Sequence, residues 1–150
     1  MSAFKWCLIS LVIAVAGCAT TTIPMAADEM DKAAKTFSPT EGKANLYVVR
    51  TNNFVGSGIS PNISVDGKLI GTVTQGSYFL VALDKGVHTV VGVSEWGSNR
   101  ARVEVEADSN YFYNVSLSTG ISTSLTFTKL DEKSGRDAVQ KCKLAENMAE

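Results

Sequence analysis

The sequence predicts a mainly all-β fold, an antiparallel β-sandwich of about seven or eight short strands with one C-terminal α-helix. Three observations predict it. From Ala44 onward, short runs of β-branched and aromatic residues follow one another. Turn segments such as Asp66-Gly67, Asp84-Lys85-Gly86 and Asp108-Ser109-Asn110 separate those runs at near-regular spacing. After Ser134 the apolar period changes to three or four residues, which is helical. A chain of 150 residues is long enough for one such domain and short for two.

Residues 1–17 come before any of this. Lys5 precedes a short apolar run from Leu8 to Ala16. That run is about half of the roughly 20 residues that span a bilayer, so it is read as a cleavable export signal. It ends in Val15-Ala16-Gly17-Cys18, which looks like the lipobox of bacterial lipoproteins. The resemblance implies cleavage between Gly17 and Cys18 and acylation of the Cys18 thiol and amine. Two or three acyl chains, at about 0.8 kcal/mol per buried CH₂, would then hold the chain on membrane lipid. Ala19 is not the Asp that commonly retains such proteins in the inner membrane of Gram-negative bacteria. The expectation is therefore the periplasmic face of the outer membrane.

Residues 18–43 are expected to be the acylated cysteine and a flexible tether, rich in Thr and Ala, with a reach of roughly 30 Å. A short helix around Ala26 to Lys35 fits the Ala, Met, Glu and Lys there.

The domain is expected over residues 44–150. Ala44 to Arg50 is its first strand, with Leu46 and Val48 alternating with Tyr47 and Val49. Ile63 and Val65 lead into the Asp66-Gly67 hairpin and the return strand Lys68 to Val73. Ser77 to Leu83 is apolar on both faces, which places it centrally. Val87, Thr89, Val91 and Val93 share one face of the next strand, and Glu95 to Asn99 is a loop. Val103 and Val105 face inward, opposite Arg102, Glu104 and Glu106. Tyr111, Tyr113, Val115 and Leu117 line one face of the following strand, and Ser122 to Lys129 closes the set. Ala138, Val139, Cys142, Ala145 and Met148 form the stripe of the final helix, with Ser134 as its N-cap.

Taken together, these stretches resemble the bacterial lipoproteins of domain-of-unknown-function family 2846. Ala44 to Arg50, Phe54 to Ser57, Val65 to Gly71 and Gly76 to Phe79 carry the resemblance. Gly86 to Thr89, Asn110 to Tyr113 and Lys141 to Leu144 complete it. The family name implies a location and a fold, and no activity.

Charge and side-chain chemistry exclude several function classes. Lys and Arg total 14 against 15 Asp and Glu, so there is no basic footprint for nucleic acid. His88, the only histidine, is read as structural, and a hydrolase built on it has no further support. The mature chain offers too few Cys and His for a metal, and no cofactor is expected. Glu104 and Glu106 read as a solvated face and Gly56-Ser57-Gly58 as a mobile loop. Cys142 reads as a buried, inert thiol, with an intermolecular disulfide as its alternative. No enzyme is expected. The functional opening lies in the aromatics: Trp96, Phe54 and Tyr78 are the candidate binding surface. They suit an envelope protein partner, with a glycan or small-ligand module as the second reading.

Overall fold

The computed structural model describes residues 23–53, 55–118 and 124–149. Its order is α1 (Asp28–Ala34), β1 (Ala44–Arg50), β2 (Asn62–Val65), β3 (Lys68–Thr72), β4 (Ser77–Leu83), β5 (Gly86–Ser94), β6 (Gly97–Val105), β7 (Asn110–Ser118), β8 (Ser124–Leu130), α2 (Glu132–Gln140) and β9 (Lys143–Leu144). The strands form a β-sandwich, as the sequence predicts. One sheet has the order β8-β7-β1-β4-β9 and the other β3-β2-β5-β6.

The hairpins follow from local chemistry. Asp66 and Gly67 both take positive φ, 50° and 80°, which matches the two-residue turn that suits strand twist. Its strands are β2 and β3. β5 and β6 pair over nine residues each. Most pairings are antiparallel, but β1–β7 and β4–β9 run parallel. Each parallel partner arrives by a long connection, as parallel pairing demands.

The inner faces meet in one core that includes Leu46, Val48, Ile63, Phe79, Val90 and Val103. A second apolar layer covers the outer face of the five-stranded sheet. Tyr47, Val49, Tyr78 and Phe112 project there and pack against Phe37, Val139, Cys142 and Leu144. Tyr47 stacks on Phe112 with ring centroids 4.9 Å apart. Strand β1 is thus buried on both faces.

Three sequence expectations change. The expected tether is partly folded: residues 24–43 dock on the domain instead of hanging free. Ala26 N–H donates to Leu144 O at 3.0 Å, and Pro24 O accepts from Glu146 N–H at 3.0 Å. Tyr47 Oη donates to Ala34 O at 2.8 Å, and Phe37 is buried. The C-terminal helix stops at Gln140, and its N-cap is Asp131, whose carboxylate accepts from Ser134 N–H at 3.0 Å. Cys142 and Ala145 lie beyond it, because carbonyls on one edge of β4 capture the chain. Gly76 O accepts from Lys143 N–H and Tyr78 O from Ala145 N–H, both at 2.8 Å. Hydrogen bonds to an existing strand edge outweigh a helical period that Lys141 and Lys143 interrupt. The expected loop Glu95 to Asn99 shrinks to the two residues Glu95 and Trp96, since Gly97 to Asn99 pair with Gly92 to Ser94.

Candidate interaction surface

Strand alternation and helix placement together leave one sheet face bare. Both helices pack on the five-stranded sheet, α1 against β9 and α2 against β7, β1 and β8. Among the described residues, no helix covers the outer face of the four-stranded sheet. In β5, Val90 is fully buried and Gly92 faces the core, where a Cβ would stand 2.9 Å from Leu125 Cδ2. The alternate residues, Val87, Thr89, Val91 and Val93, therefore form a row on the outside. Val87 and Val93 are about half exposed, as is Leu69 on β3, which pairs with Ser64 beside Val91.

Arg100 stands opposite Val91, and Arg102 opposite Thr89. Neither guanidinium has an ion-pair partner among the described residues. The row ends at the β5–β6 turn, where Trp96 is 59% exposed. Ser94 Oγ shapes that turn, donating to Gly97 O at 3.1 Å and accepting from Trp96 N–H at 3.3 Å. The apolar row is thus edged on β6 by Arg100, Arg102 and, opposite Val87, the exposed Glu104.

Of the candidate aromatics among the described residues, Trp96 lies on such a surface and Tyr78 does not. Tyr78 is fully buried on the other sheet, under α1, with its hydroxyl donating to Asp31 Oδ1 at 2.9 Å. Its two-faced strand put it against a layer of helix that sequence alone did not assign to the domain. Phe54 lies outside the described residues, as do Gly17 and Cys18. The loop around Phe54 is held from below. The buried Arg50 guanidinium donates to Gly56 O at 2.7 Å and also to Ile59 O. Gly56-Ser57-Gly58, expected to be mobile, is thereby pinned at its first glycine.

The other side chains singled out in the sequence are held by specific contacts. His88 has two partners that sequence did not reveal: Nδ1 lies 2.6 Å from Asp66 Oδ2 and Nε2 2.8 Å from Asp84 O. Burial works against a charged ring, but the Asp66 hydrogen bond, the Asp84 carbonyl and both carboxylate charges outweigh it and raise the pKa. Asp66 is lowered in turn, chiefly by that hydrogen bond. The pair ties the β2–β3 turn to β5. Cys142 is buried against Arg50 O, and burial pushes its thiol up. Among the described residues, no group of three His, Cys, Asp or Glu side chains could hold a metal. Nor is any helix among them long and apolar enough to cross a membrane.

Residues 40–128 match the family model described as "Protein of unknown function (DUF2846)". A Haemophilus influenzae protein, described as an uncharacterized protein, is 27% identical over 140 residues. Those residues span 92% of this chain and 82% of the relative. No solved structure matches significantly.

Proposed function

The chain belongs to the DUF2846 family of proteins of unknown function, and from that premise we propose that it is an envelope lipoprotein with a non-enzymatic docking domain. It is cleaved after Gly17, anchored to the outer membrane through acylated Cys18, and exposed on the periplasmic side. The observation that carries the docking role is the bare sheet face, a half-exposed valine row ending at an exposed Trp96. Patches of this kind on a small domain mark partner surfaces.

The anchor and the fold bear on each other. Docking begins at Pro24, so only residues 19–23 separate Cys18 from the folded domain. Six steps of chain reach at most about 20 Å, well short of the roughly 30 Å average of a free 25-residue tether. The domain would ride close to the bilayer, and its partner would meet it there.

Two measurements test the reading. Intact mass of the membrane-extracted protein should show loss of residues 1–17 and addition of acyl groups, both abolished in Cys18→Ser. A photocrosslinker at Ser98, directly opposite Val93, should give one recurrent protein adduct in cells. Trp96→Ala should weaken that complex about 30-fold or more, the loss of a buried aromatic anchor worth about 2 kcal/mol. An unmodified mature chain would refute the anchor. An adduct indifferent to Trp96→Ala and Val93→Glu would refute the surface. A glycan ligand remains the second reading, because Trp96 shares its end of the sandwich with the loop that Arg50 holds. Quenching of Trp96 fluorescence by cell-wall saccharides would favour it.

A further inference from the structure

The second opening in the molecule lies on the opposite sheet, between α1 and the edge of β4. It is a groove of about 660 Å³ whose lining includes Met25, Met30, Ala33, Leu80, Ala82 and Leu144. Its floor is the outer face of β1 and β4, at Asn45, Tyr47, Leu80 and Ala82, and the edge of β4 borders it. Along a strand, backbone N–H and C=O groups point alternately to the two neighbouring strands. Tyr78 O points away from β1 and accepts from Ala145 N–H. Leu80 and Ala82 therefore direct their N–H and C=O groups to the same side. There β9 pairs only with Ser77 and Tyr78. Beyond Tyr78 the chain turns off: Glu146 N–H goes to Pro24 O and Met148 N–H to Ile70 O. Among the described residues, no strand pairs with β4 over Leu80 to Leu83 on this side.

We infer that this groove takes an extended segment of a partner polypeptide, which adds as a strand along Leu80–Leu83 of β4. The lane continues the one that Lys143 and Leu144 already occupy beside Ser77 and Tyr78, and Asn147 and Ala149 border its far end near Ala82 and Leu83. At about 3.3 Å per residue it holds roughly four residues, some 13 Å. Small side chains at Ala33 and Ala82 let a backbone come close, while Met25 and Met30, both about half exposed, can adjust around varied side chains. An acyl chain would fill the apolar walls but leave the edge amides and carbonyls without partners. A second sandwich would have to enter past α1 and residues 144–147, which border the groove. Backbone pairing supplies affinity and the alternate side chains specificity, as in other strand additions. This site is separate from the Trp96 face, and it stands whether or not Cys18 is acylated.

The test is selection of random nonapeptides by display against the full chain purified in detergent, followed by amide hydrogen exchange with the best synthetic peptide. In the free protein, Leu80 and Ala82 amides should exchange faster than those of Phe79 and Val81, which face β1. The peptide should slow Leu80 and Ala82 at least tenfold. N-methylation at alternate peptide positions should abolish binding in one register and spare it in the other. Ala82→Pro removes an outward donor without touching the β1 ladder, and Ala33→Trp fills the groove from an exposed helix position. Each should weaken the peptide at least tenfold, while Trp96→Ala leaves it unchanged. Failure to select any peptide sensitive to both groove substitutions overturns the inference. So does a concentration-dependent dimer lost in Ala82→Pro, or a fluorescent fatty acid displaced by Ala33→Trp when no peptide binds.

Discussion

Asp31 decides whether the N-terminal segment belongs to the fold, and its replacement gives a measurable answer. Its carboxylate is buried and takes three donors. Tyr78 Oη and Leu144 N–H reach Oδ1 at 2.9 Å each, and Lys35 Nζ reaches Oδ2 at 2.8 Å. Burial alone would raise the Asp31 pKa, but the hydrogen bonds from Lys35, Tyr78 and Leu144 outweigh it and hold the carboxyl below its ordinary value. In Asp31→Ala, Lys35 keeps the Cys142 carbonyl at 2.7 Å, while Tyr78 Oη and the Leu144 amide lose their acceptor. At about 1–3 kcal/mol for each buried donor left without a partner, the loss is about 2–6 kcal/mol. That is a large part of the 5–15 kcal/mol typical of a whole domain. Tyr78→Phe should cost only about 1 kcal/mol, since Asp31 retains two donors, and it should relieve part of the Asp31→Ala loss when combined with it. The assay is urea unfolding followed by far-ultraviolet circular dichroism. A depressed folded-state pKa means that the contribution is present above about pH 3.9 and fades as pH falls through the folded value. The gap between the native chain and Asp31→Asn should therefore narrow in acid. An Asp31→Ala loss below about 1 kcal/mol, or a gap that ignores pH, would refute the docking of α1.

Two further perturbations probe the same architecture elsewhere. A Cβ at Gly135 would stand 2.2 Å from Phe112 Cγ and 2.5 Å from its Cβ, against a ring already stacked on Tyr47. Gly135→Ala should therefore destabilise by about 1–3 kcal/mol despite the better helix propensity of alanine, and a raised melting temperature would contradict the packing. His88 has a folded pKa above its unfolded value, so its stabilisation is complete below about pH 6.5 and is lost as pH rises through the folded value. Asp66 is depressed, so its share appears above about pH 3.9. His88→Gln and Asp66→Asn should each cost most between about pH 4 and 6.5. A His88 ring that titrates below 6.5 by nuclear magnetic resonance would break this account.

How much of this was legible in the residues depends on the range of the interaction that set each feature. Period-two runs and Asp-Gly chemistry are local, and the strands of the sandwich and the β2–β3 hairpin lie where those signals put them. The apolar double face of Ser77 to Leu83 was legible too, but the central place expected from it was not: β4 lies beside the two-residue β9 and is an edge beyond Tyr78. What sits on those faces was not legible either. The helical period after Ser134 ran through Cys142 and Ala145, yet edge carbonyls 67 residues away in sequence pulled that stretch into a strand. Residues 24–43 showed little periodicity because they hold the sheet through a few polar contacts and the single ring of Phe37. Composition cannot tell such a strap from a tether.

The same reasoning explains why the candidate surfaces were only half visible. Alternation showed that Val87, Thr89, Val91 and Val93 share a face, but not which way it points. The outward assignment depends on Gly92, where Leu125 and Phe127 of another sheet fill the space a side chain would need. Trp96 could be recognised because a tryptophan in a two-residue turn has no core to enter. Tyr78 could not be excluded, because the carboxylate that takes its hydroxyl sits 47 residues earlier, in the strap. The groove left no signal in the runs at all. It exists because β9 is two residues long while β4 is seven, and that mismatch between neighbours appears only once the sheet order is known. In a sandwich, sequence marks strands and faces, whereas unpaired edges and uncovered faces arise from the difference between partners.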